Sequence, residues 1–153
     1  MKEICIQLLK KRNVELVDIA ECTYLLQEKY IEGLDREMCL EAVESVLGKR
    51  EVQNAIMTGV FLDEAAEKGF VEEPLKTKLL NDDGLYGIDE VLAYGICNLY
   101  GSIALTNFGY IDKVKPLIVG KLNSKGKHCH TFLDDIVGAI AASAASRLAH
   151  NQD

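Results

Sequence analysis

Two short segments of the chain share an acidic pattern that could do chemistry. Ile88–Ala93 reads IDEVLA, and Leu133–Gly138, which begins 45 residues later, reads LDDIVG. Each segment places two adjacent carboxylates ahead of an apolar stretch that is rich in small residues. Two helices that begin in this way and pack side by side would bring four carboxylates together, and these repel one another unless a proton or a divalent cation intervenes. The pattern therefore makes metal-assisted chemistry the leading hypothesis.

The same carboxylates also have a purely structural interpretation. Acidic side chains are favoured in the first turn of any helix, because they complement the helix dipole and the free N–H groups. Here, however, the four residues stand in apolar surroundings, where a charge without a partner is costly. The residues alone leave both interpretations open, namely helix capping or a metal site, for Asp89, Glu90, Asp134 and Asp135.

A third acidic position is followed by a lysine and a proline. Asp112 lies three residues before Lys115, and Pro116 follows directly. Proline suits the first turn of a helix, so we expect Asp112 just before such a helix and Lys115 held in one direction. A lysine beside carboxylate-bound Mg²⁺ can neutralise phosphate oxygens, while the metal polarises the phosphorus and activates water. The lysines further on, Lys125 and Lys127, are predicted to be a solvated loop.

Other polar clusters give weaker signals. His128 and His130 flank Cys129, but alternating residues without a second Cys or His pair do not make a zinc site, and a loop surface is expected. The turn Asn81–Gly84 resembles a calcium loop, yet its glycine comes too early and the twelfth-position glutamate is missing. The chain contains no G-x-x-x-x-G-K-[ST], G-x-S-x-G or C-x5-R motif.

The first half of the chain is predicted to be helical from the spacing of its apolar residues. Amphipathic helices are expected over Val14–Ile31 and Arg50–Lys68, with a helix between them that is capped by Asp35 and ended by Gly48. A short helix is predicted over Pro74–Leu80. No segment shows the period-two alternation of a strand, so the predicted fold class is all-α.

The second half is predicted to form helices that pack closely. One helix is predicted over Glu90–Leu105 and another over Asp135–Leu148, and glycine, alanine and serine recur around both. The alternative for the latter is an exposed alanine-rich helix, but it carries almost no charge before Arg147. We therefore predict one domain, a bundle of about six or more helices around this small-residue-rich helix. Thr131 is the expected N-cap of that helix, with Asp134 close to a capping box.

Composition limits the class of protein. The chain has 153 residues, of which 48% are hydrophobic and 27% are charged, as in an ordinary soluble domain. Its net charge of −7 argues against a nucleic-acid partner. The odd number of cysteines without a C-x-x-C pair indicates reduced, buried thiols in a cytoplasmic protein. No signal peptide is expected in Met1–Arg12, and Val91–Phe108 is too interrupted by polar residues for a membrane span.

The acidic and lysine motifs, taken in order along the chain, resemble the phosphatidylglycerophosphatase A family, and the overall texture is similar to its soluble, YutG-like branch. The matching elements are D-E, D-x-x-K-P and D-D-I-V-G, which begin at Asp89, Asp112 and Asp134. The resemblance to the membrane-bound members covers roughly Ile88–Ser146. It implies an all-helical bundle and a Mg²⁺-dependent phosphatase that converts phosphatidylglycerophosphate to phosphatidylglycerol.

The resemblance also implies roles for particular residues. The residues implied to hold Mg²⁺ or to activate water are Asp89, Glu90, Asp112, Asp134 and Asp135. Lys115 is implied to bind phosphate, and the catalytic set is implied to be Asp89, Asp112, Lys115 and Asp134.

The identity of the substrate stays open at this point. Membrane-bound members carry transmembrane helices and an amino-terminal segment with glycine and proline, and this chain shows neither. The phosphorylated substrate is therefore either a lipid met at the membrane surface or a small soluble metabolite. A non-catalytic helical oligomerisation module that retains the acidic cluster is the third interpretation. We expect a homo-oligomer, because amphipathic and small-residue helices often leave an apolar face for a second copy.

Overall fold

The computed structural model describes residues 1–124 and 128–151, which form a bundle of α-helices with no strand among them. The helices of this part of the chain are α1 (Lys2–Lys11), α2 (Leu16–Gln27), α3 (Arg36–Leu47), α4 (Arg50–Glu67), α5 (Leu75–Leu80), α6 (Ile88–Cys97), α7 (Ser102–Val114), α8 (Leu117–Asn123) and α9 (Leu133–His150). The predicted all-α fold class is confirmed. Among these helices, none combines the length and the apolar character that a membrane crossing requires.

Helix α9 is the centre of the bundle. Every residue from Leu133 to Ser146 is buried, and α2, α3, α6 and α7 all pack against this helix. Its small residues allow a close approach: a Cβ atom placed on Gly138 would lie 2.9 Å from Cγ2 of Ile111 on α7. The predicted central helix is therefore confirmed.

The helices predicted in the first half are also present, with shorter ends in some cases. Asp35 caps α3 as expected, since its Oδ1 accepts a hydrogen bond of 2.8 Å from the backbone N–H of Met38. Gly69 follows α4 with a left-handed φ of +73°, which suits glycine. The five cysteines are free and buried, as their number and spacing predicted.

The prediction of one helix over Glu90–Leu105 is wrong. Helix α6 ends at Cys97 and α7 begins at Ser102, with Gly101 between them at φ +94°. That backbone conformation is open to glycine and breaks the helix. Asp112 lies within α7 and not just before α8. Helix α7 continues to Val114, and the chain then turns left-handed at Lys115, immediately before Pro116.

The predicted N-cap Thr131 is also wrong. Its hydroxyl donates a hydrogen bond of 2.5 Å to the carbonyl of Leu79. The start of α9 is capped instead by a carboxylate of α4: Oδ1 of Asp63 accepts from the N–H of Phe132, and Oδ2 accepts from the N–H of Leu133, both at 3.0 Å. A side chain distant in sequence therefore satisfies the free N–H groups at the start of the central helix.

Candidate functional site

One cavity of about 260 Å³ gathers the residues that the motifs singled out. Its lining includes Asp89, Glu90, Asp112, Lys115, Asp134 and Asp135. These side chains come from the first turn of α6, the end of α7 and the first turn of α9. We call this space the acidic cavity. The structure thus brings together all six residues, although they lie up to 46 positions apart in the sequence.

The bundle positions the two acidic pairs through the starts of α6 and α9. Both helices pack against each other. Helix α6 begins after Gly87, whose left-handed φ of +80° turns the chain into the helix, and α9 begins at the cap formed by Asp63. Burial raises the pKa of Asp63 to about 7, against the lowering effect of the two N–H groups and of Arg12.

Three aspartate side chains lie deepest in the acidic cavity. Asp89, Asp134 and Asp135 are 8%, 3% and 5% exposed. Burial raises the pKa of Asp134, and the neighbouring charges of Asp82 and Asp89 raise it further. Burial also raises the pKa of Asp135. The charge of Asp134 and a hydrogen bond with the carboxyl group of Asp89 raise it further. A proton shared among these groups relieves the repulsion that a divalent cation would otherwise relieve.

Two further acids of the site are more exposed. Glu90 and Asp112 are half-buried at the rim of the acidic cavity. Burial raises the pKa of Glu90, and the charges of Asp112 and Asp89 add to that effect, while Lys115 opposes it. The cluster as a whole therefore favours bound positive charge.

Lys115 supplies positive charge within the cluster. Its Nζ lies 3.2 Å from Oδ1 of Asp112 and 3.9 Å from Oδ2 of Asp134. Burial acts to lower the pKa of this ammonium, but the carboxylates of Asp134 and Asp112 outweigh it and raise the pKa above its ordinary value. Lys115 therefore stays charged, and it is placed to meet an anion that enters the cavity.

The backbone that carries Lys115 is strained. Lys115 and Leu117 have left-handed φ values of +50° and +51° on either side of Pro116, a conformation that non-glycine residues rarely adopt. A Cβ atom on Gly120 would lie only 2.5 Å from the carbonyl oxygen of Lys115. Gly120 thus allows α8 to press against this carbonyl, and the tight turn fixes the direction of the lysine.

The site is not arranged as a preformed metal centre. Within the described ranges 1–124 and 128–151, no three His, Cys, Asp or Glu groups are disposed to hold a metal ion. The ammonium of Lys115 stands among the carboxylates instead. The chemistry of the donors nevertheless fits Mg²⁺, which prefers carboxylate oxygens and water. Metal binding would require these side chains to turn toward a common point.

Several residues of the site were missed from the sequence. Asp82, Asp83 and Asn123 also line the acidic cavity. The Asp82-Asp83 pair within Asn81–Gly84 is a third acidic doublet and was therefore a usable signal. It was interpreted only as part of a weak calcium-loop motif. Asp63 had no local signal, because its partners in α9 lie 69 and 70 residues away.

The amino-terminal half anchors the segment that leads into α9. Arg12 donates hydrogen bonds to both carboxylate oxygens of Glu67, at 3.1 and 2.5 Å, and to the carbonyl of Cys129 at 2.7 Å. Glu67 also accepts a hydrogen bond from the N–H of Cys129. This bidentate pair, with Arg12 almost fully buried, ties α1 and α4 to the segment before the acidic pair of α9.

The histidines of this segment differ from each other. The side chain of His128 is 55% exposed, as the loop prediction expected, with its Nδ1 3.6 Å from Oε1 of Glu67. His130 is half-buried. The loop predicted to contain the solvated Lys125 and Lys127 lies outside the described residues.

The fold and this arrangement of motifs define a class of protein. The model of the family described as Phosphatidylglycerophosphatase A matches residues 16–150, and the chain belongs to that family. Among curated proteins, the chain is 58% identical over 143 residues to the uncharacterized protein YutG of Bacillus subtilis, covering 93% of this chain and 86% of that protein.

Two solved structures are close to this one over nearly their whole length. A protein of unknown function from Bacillus stearothermophilus is 53% identical with a TM-score of 0.98, covering 100% of this chain and 96% of that chain. The low temperature requirement C protein from Listeria monocytogenes is 56% identical with a TM-score of 0.96, covering 99% of this chain and 96% of that chain. The similarity includes α1, which precedes the matched family region.

Proposed function

We propose that this protein is a Mg²⁺-dependent phosphatase that hydrolyses a phosphate monoester, with phosphatidylglycerophosphate as the substrate that its family favours. The observation that supports the proposal is the convergence of carboxylates from α6, α7 and α9 around one lysine in the acidic cavity. A buried group of like charges is costly in a purely structural role. The same group of carboxylates becomes useful when it binds a divalent cation that in turn meets a phosphate.

In this proposal the oxygen ligands of Mg²⁺ come from the cavity wall. Those residues are Asp89, Glu90, Asp112, Asp134 and Asp135. When bound, the metal would polarise the phosphoryl group and lower the pKa of a bound water. Lys115 pairs with the phosphate oxygens, for which its raised pKa and fixed backbone suit it.

The remaining steps belong to the protein's own side chains. Water attacks phosphorus, the ester P–O bond breaks, and the alcohol leaves with a proton while inorganic phosphate forms. Asp89, Asp112 and Asp134 lie around the same cavity and are the groups available to accept the proton of the attacking water. The raised pKa of Asp134 suits an exchange of this kind near neutral pH.

The test is phosphate release from phosphatidylglycerophosphate and from a panel of water-soluble phosphate esters, with and without Mg²⁺. We expect Mg²⁺-dependent release by the wild-type protein and a loss of at least about a hundredfold in Asp134→Asn. Glu32→Gln removes one negative charge at an exposed position and serves as the control. No release from any ester would contradict the proposal and favour the scaffold interpretation, and release only from soluble esters would replace the lipid by a small metabolite.

A further inference from the structure

Helix α4 packs against α6 and α9, and it approaches α9 closely at Gly59. A Cβ atom placed on Gly59 would overlap Cδ1 of Ile136 and would lie 3.2 Å from Cβ of Phe132. Asp63 lies one helical turn further along α4, so the two residues share the face that meets α9. The missing side chain at Gly59 therefore allows the short side chain of Asp63 to reach the start of α9.

Asp63 binds the backbone directly before the acidic pair of α9. The residue is completely buried, and its two carboxylate oxygens accept hydrogen bonds of 3.0 Å from the N–H groups of Phe132 and Leu133. These are the last two residues before Asp134. Hydrogen bonds of backbone N–H groups to a carboxylate are stronger than those between neutral groups. Asp63 thus holds the first turn of α9 from a neighbouring helix.

The first turn of α9 in turn sets the direction of Asp134. Oδ1 of Asp134 accepts a hydrogen bond of 2.8 Å from the N–H of Asp135, while Oδ2 lies 3.9 Å from Nζ of Lys115. The backbone therefore fixes this carboxylate on one side, and the lysine faces it on the other. A shift of the turn would move the carboxylate away from its place beside Lys115.

The shape of the Asp63 side chain is specific to this position. Thr131, whose residue type commonly caps a helix start, donates its hydroxyl to the carbonyl of Leu79 instead. Asp63→Asn would keep the size of the side chain but would replace one acceptor by an NH₂ donor, which would then face a backbone N–H. One buried N–H at the start of α9 would lose its partner, and such a loss is costly.

We propose that Asp63 is a positioning residue, which Gly59 allows to reach α9 and which fixes Asp134 and Asp135 in the acidic cavity through the backbone of that helix. This inference rests on the proposed function and adds to it a residue outside the cavity lining. Asp63 acts only through the two N–H groups that it binds. The expected consequence of its loss is a weaker Mg²⁺ site and a slower reaction in a protein that is still folded.

The first test compares Asp63→Asn with Asp35→Ala, which removes the side-chain cap of α3. Calorimetric titration with Mg²⁺ and steady-state phosphate release are measured at a temperature at which circular dichroism shows each protein to be folded. We expect Asp63→Asn to weaken Mg²⁺ binding and to lower kcat by about tenfold each, with KM changed less than about threefold. Asp35→Ala should change all three less than about twofold, because a lost cap distant from the cavity affects stability alone. Equal effects of the two variants would overturn the inference.

A second variant tests the same contact without changing Asp63, and it carries the test if Asp63→Asn does not fold. Gly59→Ala pushes α4 away from α9 and should weaken Mg²⁺ binding and lower kcat by about fivefold. Its control is Gly95→Ala, at a helical glycine with open space around it, which should leave both within about twofold. The double variant Gly59→Ala/Asp63→Asn should lose no more than Asp63→Asn alone, since both changes disturb one contact. Unchanged Mg²⁺ affinity and kcat in Gly59→Ala would contradict the proposal.

Failure of the proposed function is separable from failure of this inference. If the wild-type protein neither binds Mg²⁺ nor hydrolyses an ester, the proposed function fails, but the carboxyl carbon-13 NMR shifts of Asp134 and Asp135 still report the surroundings of these side chains. Shifts that change in Asp63→Asn but not in Asp35→Ala would support the positioning role. Shifts of Asp134 and Asp135 that are the same in Asp63→Asn and in the wild type would overturn it.

Discussion

Lys115 is held in the acidic cavity by geometry as well as by charge. Its neighbours Asp112 and Asp134 keep it protonated, and the left-handed turn around Pro116 directs it. Lysines elsewhere on α7 and α8 lack this setting. Lys113, for example, is exposed only two positions earlier. A comparison of Lys115 with Lys113 therefore distinguishes a specific role in phosphate binding from a general effect of positive charge.

The first prediction compares these two lysines. Lys115→Ala should lower kcat/KM for phosphate release by about thirtyfold, since it removes roughly 2 kcal/mol of transition-state stabilisation. Lys113→Ala removes the same charge from the surface and should change kcat/KM less than about twofold. Steady-state assays of both variants measure the difference. Equal effects would remove the special role of Lys115.

The second prediction concerns the pH dependence of stability at Asp134. Because burial raises the pKa of Asp134 above its ordinary value, the folded state keeps a proton that the unfolded chain releases. This contribution to stability is complete below the unfolded pKa and is lost as the pH rises through the folded pKa. Asp134→Asn keeps the neutral form at every pH. Its free energy of unfolding relative to the wild type should therefore rise with pH, by at most about 1.4 kcal/mol per unit.

Urea unfolding of the metal-free proteins at about pH 5 and about pH 8 measures this change. The exposed substitution Glu32→Gln should show none of it. Parallel stability curves for the wild type and Asp134→Asn would mean that Asp134 is an ordinary helix-capping carboxylate.

At the scale of elements, the site depends on how closely α7 packs against α9. Gly138 is required there, because a Cβ atom would lie 2.9 Å from Ile111 and 3.6 Å from Phe108 in the core. Gly95 on α6 is a contrasting helical glycine, since nothing lies within 4 Å of a Cβ atom placed on it. The two positions share a residue type and a secondary structure but differ in their surroundings.

The third prediction uses this contrast. Gly138→Ala should lower the free energy of unfolding by about 1–2 kcal/mol, because the cost of overpacking exceeds the helix preference of alanine. Gly95→Ala should raise it by roughly 0.5–1 kcal/mol, because only the helix preference applies. Denaturant unfolding of the two variants and the wild type measures both. A stabilised Gly138→Ala protein would show that α7 and α9 are not tightly packed.

Sequence patterns predicted most of the helices, although not α1, and six residues of the acidic cavity, because those signals are local. Capping residues, apolar spacing and the acidic doublets can all be read within a few positions. The break at Gly101 was missed because glycine within a small-residue stretch fits a packed helix as well as a helix end. Asp63 could not be found, since it acts on backbone N–H groups 69 and 70 residues away. Asn123 likewise joins the site only through the position of α8 beside α9.

At the scale of the whole molecule, an uncharged surface runs along α6 and α7. The sequence from Val91 to Ile111 contains no Asp, Glu, Lys or Arg, yet Val91, Tyr94 and Tyr110 are 61%, 44% and 53% exposed. An apolar surface of this kind suits a partner that offers an equally uncharged surface, such as the same face of a second copy.

The fourth prediction is therefore a homo-oligomer that packs through this surface. Light scattering at micromolar concentration should give a mass above the 16.9 kDa of one chain. Tyr110→Glu should shift the protein toward that monomer mass, since a buried charge without a partner is costly. Tyr30→Glu, at an exposed position after α2, should leave the mass unchanged. A wild-type mass near 16.9 kDa would reject the oligomer.

The most direct test of the central claim is a series of thermal melts of the wild type and Asp134→Asn across a Mg²⁺ titration. A cation that binds the folded acidic cavity stabilises it by mass action, so the melting temperature of the wild type should rise and saturate. The rise should be larger at low ionic strength, where the repulsion among the carboxylates is least screened. Asp134→Asn should be at least as stable as the wild type without metal and should show no saturable shift. A wild-type protein whose melting temperature does not respond saturably to Mg²⁺ would contradict the metal site.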